Sequence, residues 1–276
     1  MEHTLERAVL HFVHGNSFPA GTYRVFLDQL RSNHVVGVSD MLGHDPAYPV
    51  TDGWRELVQE LIATLEARYS VPVVLLGHSL GGILSLMAAR ARPDLVRAVI
   101  VLDSPLVAGW RALLLRVVKF LKLDGKFSPA RFAEKRRCVW DSVEHAHRHF
   151  AAKEKFAIWP TEVLWDYMHA GLLPSAQGVS LRFTREVETA IYRTLPHGLG
   201  RLIRRPPAVP IGFIGGTESI ECAQAGDYYT KKLMGRNYTL IPGGHLIPLE
   251  QPEQTALAVE TMLATLLKQE CEQNND

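Results

Sequence analysis

The chain has 276 residues, 47% of them apolar and 21% charged, enough to bury a substantial core and unlike the composition of a disordered chain. Its 30 basic and 29 acidic residues leave a formal charge of +1, so the overall field excludes neither sign of ligand and argues for no nucleic-acid partner.

The first seven residues, Met1 to Arg7, are polar and include two glutamates, unlike the basic start and apolar run of a secretory signal. No stretch reaches the ~18 apolar residues of a membrane helix, and a cytoplasmic protein is expected. Ala8–Val13 reads as a buried strand ending at His14-Gly15. Tyr23–Ser32 has helical spacing, and Val35–Ser39 reads as a second strand. Asp52 is placed to cap a helix carrying Trp54, Leu57, Val58, Leu61, Ile62 and Leu65. Val71–Leu76 is the next strand, followed by Gly77, a helix over Leu80–Ala91 and the apolar strand Arg97–Leu102. The alternation stops near Ser104; from there to about Arg205 the pattern is helical with no convincing strand. It resumes after the stiff Pro206-Pro207-Ala208-Val209-Pro210 with the strand Val209–Ile214, a helix near Ala223–Met234, the strand Tyr238–Ile241 and a helix over Glu253–Lys268. Continuous Val/Ile/Leu strands separated by helices predict an α/β fold: a mostly parallel central sheet with helices on both faces. The expected organisation is a core of 1–103 and 207–276 with a helical insertion at 104–206.

Chemistry concentrates in two places. Gly77-His78-Ser79-Leu80-Gly81 satisfies G-x-S-x-G between a strand and a helix, the context in which a strained turn lifts a serine oxygen above a sheet. A serine hydroxyl needs a base to take its proton. His245, after Gly243-Gly244 and the last strand, sits where a loop can hang an imidazole over Ser79.

His14-Gly15, Gly77-His78-Ser79-Leu80-Gly81-Gly82, and Gly244-His245 with Glu250 and Pro252 together resemble the α/β-hydrolase superfamily, in its lidded serine-hydrolase branch. The resemblance covers the two core segments, about two-thirds of the chain, and the insertion at 104–206 is read beside it as a helical lid. Asp40-Met41-Leu42-Gly43-His44 is similar to that branch's D-x-x-G-H-G loop, with Asp45 in place of the second glycine. The resemblance implies a triad acid in the loop Gly215-Gly216-Thr217-Glu218, hence Glu218; Asp103, at the end of an earlier strand, is the alternative, a position some relatives use. It also implies an oxyanion hole from the backbone N–H of Leu80 and that of Asn16, with Ser17 as a near alternative. His-Gly-Asn is similar to dehalogenases and epoxide hydrolases as well, but those attack with a carboxylate where this chain has Ser79.

Charge is unevenly divided. Residues 104–206 contain 18 Lys+Arg and 9 Asp+Glu, and the remainder 12 and 20. A cationic insertion either docks on an anionic core or receives a substrate with an anionic group. Within Trp110–Leu123, Trp110, Leu113, Leu114, Val117, Val118 and Leu121 share one helical face, and Arg111, Arg116, Lys119 and Lys122 cluster on another. The reading adopted is a lid helix whose apolar side roofs the pocket; contact with an anionic membrane surface is the alternative. Phe156, Trp159, Trp165, Tyr167 and Met168 form a second aromatic cluster, lining either the pocket or the lid core. His145, His147 and His149 lack a completing carboxylate or thiol and read as an exposed face. Cys138, Cys222 and Cys271 form no C-x-x-C pair, and no metal or organic cofactor is expected.

The expected function is hydrolysis of a carboxylic ester or thioester through an acyl-enzyme. Carbon–carbon bond hydrolysis or cofactor-free haloperoxidase chemistry on the same triad is the alternative among enzymes. A non-catalytic ligand-binding protein of this fold is the alternative outside them.

Overall fold

The computed structural model describes residues 7–120 and 129–273. In chain order the first half supplies β1 (Val9–Val13), α1 (Arg24–Arg31), β2 (Val35–Ser39), α2 (Arg55–Arg68), β3 (Val73–His78), α3 (Leu80–Ala91) and β4 (Val96–Leu102). The insertion follows, with α4 (Trp110–Phe120), α5 (Pro129–Lys135), β5 (Val139–Trp140), α6 (Val143–Ala151), α7 (Glu154–Ala157) and α8 (Thr161–Gly171). It continues through β6 (Leu172–Ser175), β7 (Gly178–Leu181), α9 (Arg185–Arg193) and α10 (Gly200–Arg204). The core then resumes with β8 (Ile211–Gly216), α11 (Ile220–Ala225), α12 (Tyr228–Met234), β9 (Tyr238–Ile241), α13 (Ile247–Glu250) and α14 (Pro252–Gln273).

The central sheet has the order β2-β1-β3-β4-β8-β9, and every neighbouring pair is parallel. β3 is buried along its whole length, as a strand covered on both faces requires, whereas β2 at the edge is largely half-buried. α3 is apolar nearly all round because it is enclosed between the sheet and α2. The chain leaves β1 toward one edge and β3 toward the other. In open parallel sheets ligands bind at the carboxyl ends of strands where the order reverses in this way, and both the Gly15-Asn16 turn and Ser79 lie there.

Three local expectations change. α2 begins at Arg55, and Asp52 sits in a preceding 3-10 turn without capping it. Trp54 takes a left-handed conformation (φ 59°), and its buried indole donates to the Ile191 carbonyl at 3.1 Å. The helix expected near 223–234 is two helices, broken at Gly226 with φ 72°. The insertion also contains strands: β5, β7 and β6 form a three-stranded antiparallel sheet. These strands are two to four residues long and one includes Pro174, so they leave no alternating pattern to read.

The insertion is fused to the core through its apolar residues. Trp140, Phe150, Phe156, Trp159, Tyr167 and Met168 share one hydrophobic cluster with Phe12, Phe18, Tyr23 and Phe26. The aromatic cluster of the sequence is thus packing material, with Trp165 at its margin. The histidines are half-buried rather than an open face: His145 pairs with Asp141 at 2.8 Å and His147 stacks on Trp165 at 4.2 Å between centroids.

α4 is oriented opposite to the expected roof. Among its described side chains Ala112 is buried, whereas Trp110, Leu113, Leu114 and Val117 are 65%, 61%, 53% and 43% exposed. Residues 121–123, and the side chains of Val118 and Lys119, lie outside the described residues.

Candidate active site

Ser79 occupies the turn between β3 and α3 with φ 52° and ψ −115°, a strained conformation for a residue with a side chain. The turn is tight enough to demand glycine around it: a Cβ on Gly77 would lie 2.3 Å from the Gly81 carbonyl, and one on Gly81 would lie 2.0 Å from the Val13 carbonyl. Ser79 N–H donates to the Leu102 carbonyl at 3.0 Å, and the Ser104 hydroxyl donates to the Ser79 carbonyl at 2.6 Å. The backbone is pinned on both sides, so the hydroxyl has a defined direction.

His245 meets it. Its Nε2 is 2.9 Å from Ser79 Oγ, and its Nδ1 is 2.7 Å from Asp103 Oδ1. With Nδ1–H donating to the carboxylate, Nε2 is left to accept the serine proton. Glu250 fixes the histidine loop by accepting the N–H groups of Gly244 at 2.5 Å and Leu246 at 3.1 Å. These contacts account for the glutamate that follows the histidine in the sequence motif.

The carboxylate at the imidazole is Asp103, and Glu218, the first expectation, is not in contact with it. The Glu218 side chain is exposed while its N–H donates to the Gly243 carbonyl at 2.9 Å. The β8 loop turns its backbone inward instead: Gly216 N–H reaches Asp103 Oδ2 at 2.7 Å, and the Ser219 hydroxyl reaches Oδ1 at 2.6 Å. The Cys222 thiol lies 3.5 Å from both carboxylate oxygens. Burial pushes the fully enclosed Asp103 carboxyl up, but hydrogen bonds from His245, Ser219 and Gly216 outweigh it and hold the group below its ordinary range. Beside this acceptor the Cys222 thiol is pushed up to about 12, chiefly by burial and then by the Asp103 charge, so it stays a thiol. A second carboxylate, Glu221, comes within 3.9 Å of His245 Nδ1 from the first turn of α11; nothing in its sequence setting marked it.

The loop after β1 is held by neutral histidines. His14 Nε2 accepts the Leu42 N–H at 2.8 Å, so its Nδ1 carries the proton and donates to the Gly15 carbonyl at 2.8 Å. Burial above all lowers His14 to about 4, consistent with that neutral form. His78, next to the serine, is fully buried and lowered to about 3, again chiefly by burial. Its Nε2–H donates to the His245 carbonyl at 2.9 Å, and its Nδ1 accepts from Tyr23 at 2.8 Å; the Tyr23 oxygen in turn accepts the Gly15 N–H at 3.2 Å. One chain of hydrogen bonds therefore joins the β1 loop, the serine turn and the histidine loop. A single sequence position cannot reveal such a tie, since Tyr23 gains its partners only through the fold.

Asn16 and Leu80 both lie at this crevice. Leu80 opens α3, where its N–H has no partner one turn earlier in the helix. Asn16 is 8% exposed, and its side-chain amide donates to the Glu188 carbonyl in α9 at 3.2 Å. Glu188 pairs through its carboxylate with Arg136 at 2.6 Å, and Arg136 also donates to the Tyr167 hydroxyl at 2.9 Å. The D-x-x-G-H stretch docks on the insertion too. Asp40 pairs with Arg182 at 2.5 Å, and His44 Nε2 accepts the Thr184 N–H at 3.2 Å. Ser17 has φ 78° and is buried. Among the described residues no group of three or more metal-ligating side chains converges.

Comparison with known proteins identifies the fold and the family. A lipase of Mycobacterium tuberculosis, LipV, is 40% identical over 75 residues, a stretch that is 26% of this chain and 28% of that enzyme's length. The fold closely matches that of E-2-(acetamidomethylene)succinate hydrolase, with a TM-score of 0.76 at 18% identity over 94% of this chain and 92% of the other. It also matches the thioesterase domain from the curacin biosynthetic pathway, with a TM-score of 0.71 at 16% identity over 93% and 92%. The profile of the alpha/beta hydrolase family matches residues 12–259, nearly the whole described chain, and the protein belongs to that family of hydrolases.

Proposed function

We propose that the protein is a serine hydrolase that cleaves carboxylic esters or thioesters through an acyl-enzyme. The observation that carries this reading is the His245 imidazole bridging Ser79 Oγ at 2.9 Å and the buried Asp103 at 2.7 Å. Ser79 Oγ attacks the carbonyl carbon while its proton passes to His245 Nε2, and Asp103 stabilises the imidazolium. The tetrahedral intermediate collapses as the imidazolium protonates the departing alcohol or thiol. Water then attacks the acyl-enzyme with His245 as base, releasing the carboxylic acid and restoring Ser79.

The oxyanion is assigned to the N–H groups of Leu80 and Asn16. Support for Asn16 comes from the trans geometry of the peptide unit. The Gly15 carbonyl is directed at His14 Nδ1 and the Phe18 N–H, so the N–H on the other side of that peptide points away from both. Residues 104–206 act in this reading as a lid on a core of 1–103 and 207–276, excluding water and selecting the acyl group. The lid's largely buried Arg136 is paired with Glu188, so the cationic excess of the lid is not spent there on a substrate carboxylate. The named relatives, a lipase and a thioesterase domain, are consistent with ester and thioester chemistry. Cys138 and Cys222, neither of them in a disulfide among the described residues, are consistent with a reducing cytoplasm.

Ser79→Ala tests the reading. It should abolish turnover of a short p-nitrophenyl ester and labelling by a fluorophosphonate probe, with the circular-dichroism spectrum unchanged. Retained turnover would reject Ser79 as nucleophile.

A further inference from the structure

Among the described residues the outward stripe of α4 has no apolar partner. Trp110, Leu113, Leu114 and Val117 recur at i, i+3, i+4 and i+7, on one face, and all are exposed while Ala112 packs inward. A helix on a globular protein ordinarily buries that face and exposes its charges. Here the arginines flank the stripe: Arg111 lies over the Trp110 ring at 4.8 Å and beside Gly226, and Arg116 is exposed. α4 sits against the segment carrying the exposed Ile220 and Tyr228, and Ile220 is adjacent to Glu221, whose carboxylate lies 3.9 Å from His245.

We propose that this face is a docking surface for an anionic lipid bilayer, with α4 lying in the plane of the interface and presenting the mouth of the site to the membrane. The inference rests on the ester-hydrolase reading only for its purpose, since the surface itself is independent of catalysis. Two observations select the occupant. The stripe combines an aromatic residue suited to the lipid–water boundary with three aliphatic ones, framed by guanidinium groups that reach headgroup phosphates. It also belongs to a segment with 18 basic and 9 acidic residues, joined to a remainder with 12 and 20, so an anionic surface attracts this side and repels the other. A second copy of the chain fits poorly, because face-to-face pairing brings the two cationic segments together.

Sedimentation of the 276-residue chain with vesicles tests the proposal, using phosphatidylglycerol-rich vesicles against pure phosphatidylcholine. Binding should be strong to the anionic vesicles, weak to the neutral ones, and reduced by high salt. Leu113→Gln with Leu114→Gln should weaken it by about ten-fold or more, and Arg116→Glu should weaken it on anionic vesicles alone. Both variants should keep full turnover of a water-soluble ester, which also demonstrates that they fold. Equal binding to both vesicle types, or binding unaffected by the α4 variants, overturns the proposal. So does a concentration-dependent dimer that the same variants dissolve, which would identify a second copy as the occupant. Vesicle binding without ester turnover would leave this inference standing and remove the esterase reading.

Discussion

At Asp103 the main chain takes φ 42°, an unusual conformation for an aspartate at the end of a strand. That bend aims the carboxylate across the sheet toward the histidine loop, where Gly216 N–H, the Ser219 hydroxyl and His245 Nδ1 converge on it. Removing the charge while keeping the shape isolates its role. Asp103→Asn should lower kcat by roughly 10⁴-fold through loss of the imidazolium partner and of the productive tautomer. Glu218→Gln should leave kcat within about two-fold, because an exposed carboxylate with no contact to the imidazole contributes little to it. Steady-state kinetics on one ester distinguishes the two positions. Glu218 was the natural choice from the sequence, since the motif resemblance specifies a loop and a loop does not specify which atoms face inward.

Two sets of contacts coordinate whole elements. Tyr23 and His78 link the β1 loop to the serine turn, with donors and acceptors matched along the chain. Tyr23→Phe leaves the Gly15 N–H and His78 Nδ1 without this partner in a buried setting, at a cost of about 1–3 kcal/mol. The expected kinetic signature is a fall in kcat with KM little changed, since the substrate's resting position is not what the tie controls. A KM-only effect would place Tyr23 in the substrate pocket instead. On the other side, the Arg136–Glu188 pair anchors α9 over Asn16. Arg136→Met strands a buried carboxylate and should cost about 3–5 kcal/mol in urea unfolding, whereas the double change Arg136→Met with Glu188→Leu should recover most of it. Recovery in the double variant separates loss of an ion pair from loss of packing.

Over the whole molecule, buried neutral histidines tie stability to pH. His11, His14 and His78 lie at about 3, 4 and 3, each lowered chiefly by burial from the ordinary 6.5. Their pKa values are depressed in the fold, so the unfolded chain binds more protons below 6.5; the stabilisation is complete above that value and declines as pH falls toward the folded values. These three contribute up to about three protons near pH 5, each worth about 1.4 kcal/mol per pH unit, and Glu60, pushed up to about 7 by burial, offsets about one of them between about pH 7 and 4.5. Urea midpoints across that range check the sign, and His11→Gln should remove about one proton from the slope. A stability that is flat from neutral pH to pH 4 would contradict the neutral assignment. His11 is held inside by Tyr69 at 2.9 Å and Ser39 at 2.8 Å, contacts that no local pattern announces.

What the sequence by itself determined is set by short range. The parallel sheet follows from apolar runs such as Val73–Leu76, and the serine turn follows from glycines whose replacement would collide with neighbouring backbone. Ser79 and His245 were legible because each sits in a motif only a few residues long. Only the tertiary structure decided that Asp103 faces the imidazole, that Tyr23 and His78 tie three loops together, and that the insertion contains its own small sheet. It alone turned the apolar side of α4 outward. The physical reason is common to all of these: side-chain direction, and the pairing of strands too short to show a period, depend on partners distant in the chain. Hydrophobic periodicity marks which residues could be buried, and packing selects which of them are.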